Sequence, residues 1–242
     1  LGFWRKKIGL YEKAFRTKKF SKYNKGSILE IGPGNGDYLK RMKNMGWETK
    51  SIEFNPEISD LLNQKYDIET FNGDIDQLAK NNFNPFNTKF DLVSMWSVLE
   101  HTFYPNRVLN YIHNNLKDDG KAIFLVPNEK SLEFSLYKNI DPNPIDIPRH
   151  IYHFSYKSLK ILLEQSGFKN IKKRNFTFIE PSRTTVVFNH LSKKLLSLLP
   201  KSKIQTILKL LLFNLGFLIG ELFALFFSII NKSHSIIVIA KK

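Results

Sequence analysis

The chain has 242 residues, of which 42% are hydrophobic and 14% aromatic, so it can bury a substantial core, and this excludes a wholly disordered protein. It has no cysteine, which excludes disulfide bonds, thiolate zinc sites and cysteine nucleophiles and fits a reducing compartment. The formal net charge of +15 favours an anionic partner, but the excess lysines are spread along the chain and do not choose among nucleic acid, anionic lipid and acidic metabolites.

The N-terminal region, residues 1–20, predicts an amphipathic basic helix with Phe3, Ile8, Tyr11 and Phe15 on one side. Its first residues carry charge and lack a long apolar run. We therefore expect no secretory signal and a cytoplasmic protein.

Strand and helix patterns then alternate along the chain. Strands are predicted over residues 27–31, 48–54, 67–72, 89–96, 121–126, 169–178 and 233–240. Helices are predicted over residues 37–45, 56–64, 105–116 and 155–165, with Gly46 and Gly167 as stops and a turn at residues 118–120. This alternation predicts an α/β fold with a doubly wound, mostly parallel sheet and right-handed crossovers.

A glycine-rich turn follows the first strand and is the strongest local signal. Gly32, Gly34 and Gly36 permit a sharp strand-to-helix turn and close approach of a ligand to the backbone. A dinucleotide fingerprint needs its last glycine where Asp37 stands, which disfavours a nicotinamide dehydrogenase. S-Adenosylmethionine has no phosphate but needs an acceptor for its ammonium group, and Glu30 fits that need.

Acidic residues also end the next two strands. Glu53 is suited to accept hydrogen bonds from both ribose hydroxyls of a nucleoside. Asp74 is a candidate acceptor for the adenine amino group, with Ile75 or Phe54 packing on the ring. Taken singly, a solvated strand end or an ordinary Asn-Gly-Asp turn would explain these residues as well.

Together these motifs resemble the class I methyltransferases in their order, and the stretch from Phe90 to His101, which includes Trp96, resembles the fourth-strand motif of that family. The block from Pro148 to Ser155 is similar to one in the ubiquinone-O-methyltransferase-like branch. The resemblance implies a Rossmann-like, seven-stranded sheet whose last strand is antiparallel. It also implies S-adenosylmethionine as cofactor, S-adenosylhomocysteine as product, and Trp96 among the cofactor-binding residues.

One departure from that branch concerns metal binding. In the ubiquinone O-methyltransferases the Glu-His pair is preceded by a further Glu, and here that position is Ser97. A divalent metal site of that pattern would lose a hard oxygen ligand, so we predict no required metal.

Three histidines are candidates for removing a proton from an oxygen acceptor: His101, His150 and His153. Each would otherwise cap a turn or pack against neighbours. Glu100 is suited to orient a histidine or to cap a helix, and Arg149 to bind an acidic acceptor.

An apolar stretch over residues 210–230 is long enough for a membrane span and holds a single charge, Glu221. Gly216 and Gly220 have the spacing that lets two helices approach closely. A single crossing would leave residues 233–240, which are needed in the sheet, on the far side of the membrane. The segment must therefore lie in the membrane interface, form a hairpin or pack on protein. Lysines flank it, as beside anionic headgroups: Lys193, Lys194, Lys201, Lys203, Lys209 and Lys232.

The chain is therefore divided into an N-terminal basic helical segment (1–24), an S-adenosylmethionine-binding methyltransferase domain (25–190), an apolar helical insertion (191–232) and a final strand of the sheet (233–242). The insertion is expected to attach peripherally to the cytoplasmic face of a membrane through residues 204–230. A buried lid or a homodimer helix is the alternative.

The predicted function is methylation by in-line displacement, on an oxygen of a small or lipid- or polyprenyl-linked acceptor. An RNA methyltransferase and a non-catalytic membrane-bound scaffold are the alternatives. Nucleic acid is not the expected partner, because no RNA-binding module or arginine-aromatic cluster is visible. The complete set of cofactor motifs argues against a scaffold.

Overall fold

Seven strands form one sheet in the computed structural model, which describes residues 2–21, 25–137, 139, 146–174, 183–198, 200, 203–230 and 232–242. The strands are β1 (Ser27–Ile31), β2 (Glu48–Glu53), β3 (Glu69–Asn72), β4 (Phe90–Trp96), β5 (Leu116–Pro127), β6 (Lys169–Arg174) and β7 (Ser235–Lys241). Their order is β3-β2-β1-β4-β5-β7-β6. The first five run parallel, and β7 is antiparallel to both β5 and β6. The predicted doubly wound sheet with an antiparallel last strand is confirmed.

Helices cover both faces of this sheet. The helices of the described residues are α1 (Gly2–Ser21), α2 (Asp37–Asn44), α3 (Pro56–Tyr66), α4 (Ile75–Asn81), α5 (Pro105–Asn115), α6 (Leu132–Tyr137), α7 (Tyr156–Gln165), α8 (Arg183–Leu196) and α9 (Lys203–Ile229). One apolar layer joins the sheet to α4, α5 and α7, and the other joins it to α1, α2 and α3. Because Ala14 of α1 is buried in the second layer, the N-terminal helix is packed onto the sheet.

Several element boundaries follow from local chemistry. Ser155 caps α7 by a reciprocal capping box with Ser158, and Gly46 and Gly167 have left-handed φ angles of 85° and 88°. The sequence did not predict α4, which Asp74 caps by accepting the N–H of Asp76, or the short α6.

The turn expected at residues 118–120 lies instead within β5. Leu116 is opposite Phe90, and Lys121 is opposite Leu92, so the intervening residues form a bulge in one continuous strand. Residues 175–178 of the predicted sixth strand, and the side chains of Phe3, Lys201 and Glu221, lie outside the described part of the chain.

The apolar insertion forms a helical hairpin of α8 and α9. Helix α8 begins at Arg183 and therefore crosses the boundary expected at residue 190. The stretch Gln205–Phe227 of α9 is long and apolar enough to cross a membrane by length and composition, and only 20% of it is buried. Gly216 faces the ring of Phe188 on α8, since a Cβ at this glycine would lie 2.2 Å from Phe188 Cδ1. Close packing at Gly216 thus joins the two helices of one chain.

The glycine turn provides a matched test of packing. Gly36→Ala should lower the free energy of unfolding by about 3 kcal/mol, because its Cβ would lie 2.0 Å from Leu62 Cδ2 at a φ of +74°. Gly34→Ala is the control, since its φ of +56° is also left-handed but the added Cβ meets no described atom within 4 Å. Strain alone should cost this variant about 1 kcal/mol. Chemical denaturation measures both, and equal losses would contradict the packing assigned to Gly36.

Candidate functional site

A cavity of about 450 Å³ opens at the carboxyl edge of the sheet. Its walls come from the ends of β1 and β2, the turn after β3 and the segment after β4. The strand order reverses between β1 and β4, and such a switch point is where open α/β sheets bind ligands. Five of the residues predicted to bind the cofactor line it: Gly32, Glu53, Phe54, Asp74 and Ile75.

The carboxylate side chains of two of these five, Glu53 and Asp74, have defined hydrogen-bond partners. Glu53 Oε1 accepts the backbone N–H of Asn55 at 2.9 Å, which holds the carboxylate at the cavity rim. Asp74 Oδ1 accepts the N–H of Asp76 at 2.9 Å as the cap of α4. The ring of Phe54 is 75% exposed, so it offers an uncovered apolar surface beside the cavity.

Asp76 was missed by the sequence analysis. Its buried carboxylate accepts the backbone N–H groups of Phe103 at 2.9 Å and Tyr104 at 3.1 Å. These bonds tie α4 to the segment after β4 and so fix one wall of the cavity. The only sequence signal was an acidic residue in the first turn of a helix that had itself not been predicted.

Glu30 and Trp96 do not line this cavity and lie on the sheet face covered by α1 and α2. Glu30 is 1% exposed, and its Oε2 has no hydrogen-bond partner among the described residues. The Trp96 ring meets Tyr38 edge-on at 5.7 Å between centroids, and Lys13 Nζ of α1 lies 5.1 Å from the Trp96 ring. The structure therefore divides the predicted cofactor residues between two adjoining places.

Burial controls the protonation of Glu30. Loss of hydration raises its pKa from 4.5 to about 8; the positive charge of Lys13 acts in the opposite direction, and the negative charge of Glu53 adds to the increase. A cation placed against this carboxylate would restore its ionised form.

The three predicted histidines come together beside the cavity. The rings of His101 and His150 lie 4.8 Å apart between centroids, and those of His150 and His153 lie 6.3 Å apart. His101 lines the cavity, and its Nδ1 donates a hydrogen bond to the carbonyl of Arg149 at 2.7 Å. Because a carbonyl only accepts, this bond requires the proton on Nδ1 and leaves Nε2 as the basic nitrogen of the neutral ring.

The loop that carries His150 and His153 is anchored on Glu100. The backbone N–H groups of Ile151 and Tyr152 both donate to the Glu100 carbonyl, at 2.9 and 3.1 Å. The side chain of Glu100 is fully buried, and His150 Nε2 lies 4.0 Å from its Oε1. Glu100 thus holds the loop through its own backbone carbonyl, and the sequence motif did not reveal this role.

Asp146 supplies a second carboxylate to this loop. Its Oδ2 lies 3.4 Å from His150 Nε2 and accepts a hydrogen bond from Arg149 Nε at 2.8 Å. Partial burial raises the pKa of Asp146, but the bond from Arg149 and the neighbouring cations outweigh this effect and hold it below its ordinary value. The predicted acceptor-binding Arg149 is thereby paired within its own loop.

Glu100, His101 and His150 also form a cluster of potential metal ligands, with donor atoms within 4.8 Å of one another. His150 Nε2 lies 4.0 Å from Glu100 Oε1, and the Nδ1 of His101 is already bonded to the Arg149 carbonyl. The absence of a required metal stays a prediction.

The fold and site define a class of protein. A glycine turn after the first strand, an acidic residue at the end of the second and a cavity at the switch point are typical of α/β proteins that bind a nucleoside cofactor.

Comparison with known proteins gives the family. A family model described as a methyltransferase domain matches residues 4–173, and the chain therefore belongs to this family of methyltransferases. No curated protein matches the sequence. A SAM-dependent methyltransferase from Archaeoglobus fulgidus has a similar structure, with a TM-score of 0.60 and 20% identity over 99% of this chain and 98% of the other. Phosphoethanolamine N-methyltransferase 2 from Haemonchus contortus, in complex with S-adenosyl-L-methionine, has a TM-score of 0.57 and 16% identity over 96% of this chain and 52% of the other.

The chain is thus a SAM-dependent methyltransferase, and the predicted enzyme class and cofactor are confirmed. The residues present fit that cofactor. Glu30 offers a buried carboxylate oxygen with no partner among the described residues, and the cavity begins at the next residue, Ile31.

The raised pKa of Glu30 predicts how the stability of the cofactor-free chain depends on pH. Between its ordinary pKa of 4.5 and the folded value of about 8, the folded chain binds more protons than the unfolded chain. The free energy of unfolding should therefore fall as the pH rises from about 5 to about 8. Glu30→Gln should flatten this decline, as measured by urea denaturation at a series of pH values. Glu57→Gln, at an exposed position of α3, should retain it, and a decline that survives in Glu30→Gln would contradict the assignment.

Proposed function

We propose that this methyltransferase acts on an oxygen atom of a small or lipid-linked acceptor, of the polyprenyl-linked or quinone-like type suggested by the ubiquinone-O-methyltransferase-like motifs. The observation that carries the proposal is the grouping of His101, His150 and His153, of which His101 lines the cavity and the other two lie behind it. An oxygen acceptor must lose its proton as it is methylated, and a histidine is the side chain best suited to take it near neutral pH.

The cofactor is held, in this proposal, by the two adjoining groups of residues. Glu53 accepts the ribose hydroxyls, and Asp74, Phe54 and Ile75 surround the adenine, as their positions on the cavity wall support. Glu30 accepts the ammonium group, supported by its buried oxygen without a described partner. Gly32 and Gly34 allow the backbone to approach, whereas Gly36 serves the packing of Leu62, and Trp96 forms the aromatic wall beside Glu30.

S-Adenosylmethionine supplies an activated methyl group on a sulfonium, so the protein's task is alignment and proton removal. We assign proton removal to His101, since its Nδ1–H is fixed by Arg149 and its Nε2 remains basic. His150 faces Asp146 and Glu100 and is assigned as a positioning residue that packs on His101. The ring of His153 meets that of His150 edge-on, at 6.3 Å between centroids, and His153 is assigned to the same group.

A membrane location is proposed for the hairpin of α8 and α9. Its outer surface is apolar over most of α9, with exposed side chains at Ile207, Leu210, Leu211, Phe213, Leu215, Leu218, Leu222, Phe223, Leu225, Phe226 and Ile229. Such a surface in water would be an aggregation hazard. The exposed lysines Lys193, Lys194, Lys203, Lys209 and Lys232 suit an anionic, inner-face lipid surface.

The topology of the sheet supports a link between this hairpin and the active site. Ser235, the first residue of β7, is opposite Pro127 at the end of β5, and Arg174, the last residue of β6, is opposite Ile237. The end of β6 and the start of β7, the strands on either side of the insertion, therefore both lie at the carboxyl edge, where the cavity opens. An acceptor dissolved in the bilayer would reach the site without crossing water.

Cofactor binding is tested by calorimetry with S-adenosylhomocysteine. We expect micromolar-scale affinity, about −8 kcal/mol. Glu53→Ala should weaken it about 30-fold, through loss of a charged hydrogen-bond acceptor. Glu57→Ala, four residues away at an exposed position of α3, should not weaken binding. Binding of NADH instead, or unchanged affinity in Glu53→Ala, would exclude the assigned cofactor site.

Proton removal is tested in turnover with hydroxylated, quinol-like acceptors. His101→Ala should lower the rate about 100-fold while leaving affinity for S-adenosylhomocysteine unchanged. His150→Ala should cost less, and His150→Gln should recover part of the loss, because the role is positional. Near-normal turnover in the alanine variants of all three histidines would show that alignment alone drives the reaction.

Membrane attachment is tested by flotation with vesicles containing about 30% phosphatidylglycerol. The full chain should float, less so at high salt, and a chain with the hairpin replaced by a short polar linker should not. Glutamine at Leu211, Leu218 and Leu222, all more than half exposed, gives a milder variant that should also lose most binding. Full-length protein that stays in the soluble fraction as a dimer burying the hairpin would contradict the proposal.

A further inference from the structure

Helix α1 has two faces of different character. Its inner face packs on the sheet through Leu10, Ala14 and Thr17, and the Thr17 hydroxyl hydrogen-bonds Tyr38 Oη at 2.5 Å. These contacts fix the rotation of the helix about its own axis. The opposite face must therefore point away from the core.

That outer face carries an exposed apolar stripe. Ile8, Tyr11 and Phe15 are 47%, 48% and 64% exposed, and their spacing of three and four residues aligns them along one side of the helix. A stripe that the fold turns outward has no role in the core of the chain.

Cations border this stripe. The Arg41 guanidinium lies 3.8 Å from the centre of the Tyr11 ring, and Lys19 Nζ lies 5.8 Å from that of Phe15. Lys7 and Lys18 are exposed on the same helix. From residue 7 to residue 19 the helix has five cationic side chains and one carboxylate. Alternating rings and long cations are typical of helices that lie in a lipid headgroup region.

We propose that the outer face of α1 is a second lipid-binding surface, selective for anionic headgroups and separate from the hairpin. This inference extends the proposed membrane location, and it depends on that proposal only for the statement that the surface bound is a membrane. The stripe spans about 10 Å of helix, too little for a stable protein interface, which buries about 800 Å² on each partner. Transfer of Ile8 and Phe15 from water to acyl chains is favourable in free energy, whereas binding to the phosphate backbone of a nucleic acid would leave both side chains hydrated.

The test measures partition of the full chain onto vesicles of phosphatidylcholine with and without about 30% phosphatidylglycerol. Ile8→Ser with Phe15→Ser should lower partition onto anionic vesicles about 10-fold, because binding scales with buried apolar area. Lys18→Gln with Lys19→Gln should lower it on anionic vesicles only and reduce its salt dependence. Ile161→Ser with Phe83→Ser, at positions 45% and 52% exposed on other elements, is the matched control and should bind like the wild type.

Affinity for S-adenosylhomocysteine without vesicles should be equal in all these variants. Equal affinity shows that the variants are folded. It also distinguishes a failure of the lipid-binding proposal from a failure of the methyltransferase function. Wild-type partition by Ile8→Ser with Phe15→Ser would overturn the lipid-binding proposal. Two other outcomes would also overturn the proposal. If this variant keeps its vesicle binding but loses a gel shift of a short polyuridine RNA, the surface binds nucleic acid. If it keeps its vesicle binding but loses a concentration-dependent dimer, the surface binds a second copy of the chain.

Discussion

The pairing of β1 between β2 and β4 is the constraint on which the site depends. Because all three strands run parallel, their carboxyl ends meet at one edge, and the chain leaves that edge in opposite directions on the two sides of β1. The cavity lies in the gap between the segment that follows β1 and the segment that follows β4. Glu30 and Ile31 are consecutive in β1, so alternation of side chains across the sheet sends one to each face. One strand thereby contributes to both parts of the proposed cofactor site.

Buried carboxylates serve different purposes around this edge. Asp76 is satisfied by two backbone N–H groups and is structural, since it joins α4 to the segment after β4. Glu30 has an oxygen without a hydrogen-bond partner among the described residues and a raised pKa, and these two features support its proposed role as acceptor of the cofactor ammonium group. The proposed distinction between Asp76 as a structural acid and Glu30 as a ligand-binding acid therefore rests on the hydrogen-bond donors that each carboxylate meets, and not on burial alone.

The apolar hairpin shows how composition and topology combine. Composition alone allowed a span, an interfacial helix or a buried lid for residues 204–230. The return of β7 to the centre of the β5–β7–β6 group requires both ends on one side, and Phe188 fills the space left by Gly216. The close packing that glycine permits is thus used within the chain. The strand ends on either side of the insertion and the cavity share one edge of the sheet, which supports the proposed link between the hairpin and the site.

Periodicity predicted the fold class and the seven strands, and the ordered motifs that resemble those of class I methyltransferases predicted the cofactor, because these depend on local patterns that the chain carries in order. The sequence also supplied the three histidines, whose residue type limits their chemistry. Only the tertiary structure decided that His101 faces the cavity with a fixed tautomer, since its hydrogen bond to the Arg149 carbonyl joins residues 48 positions apart. The contact of His150 with Asp146, four positions away, depends on how the loop folds beside His101. Asp76 and the separation of Glu30 from Glu53 were likewise beyond sequence patterns. Hydrogen bonding and hydration at a carboxylate are set by groups that become neighbours only when the sheet forms.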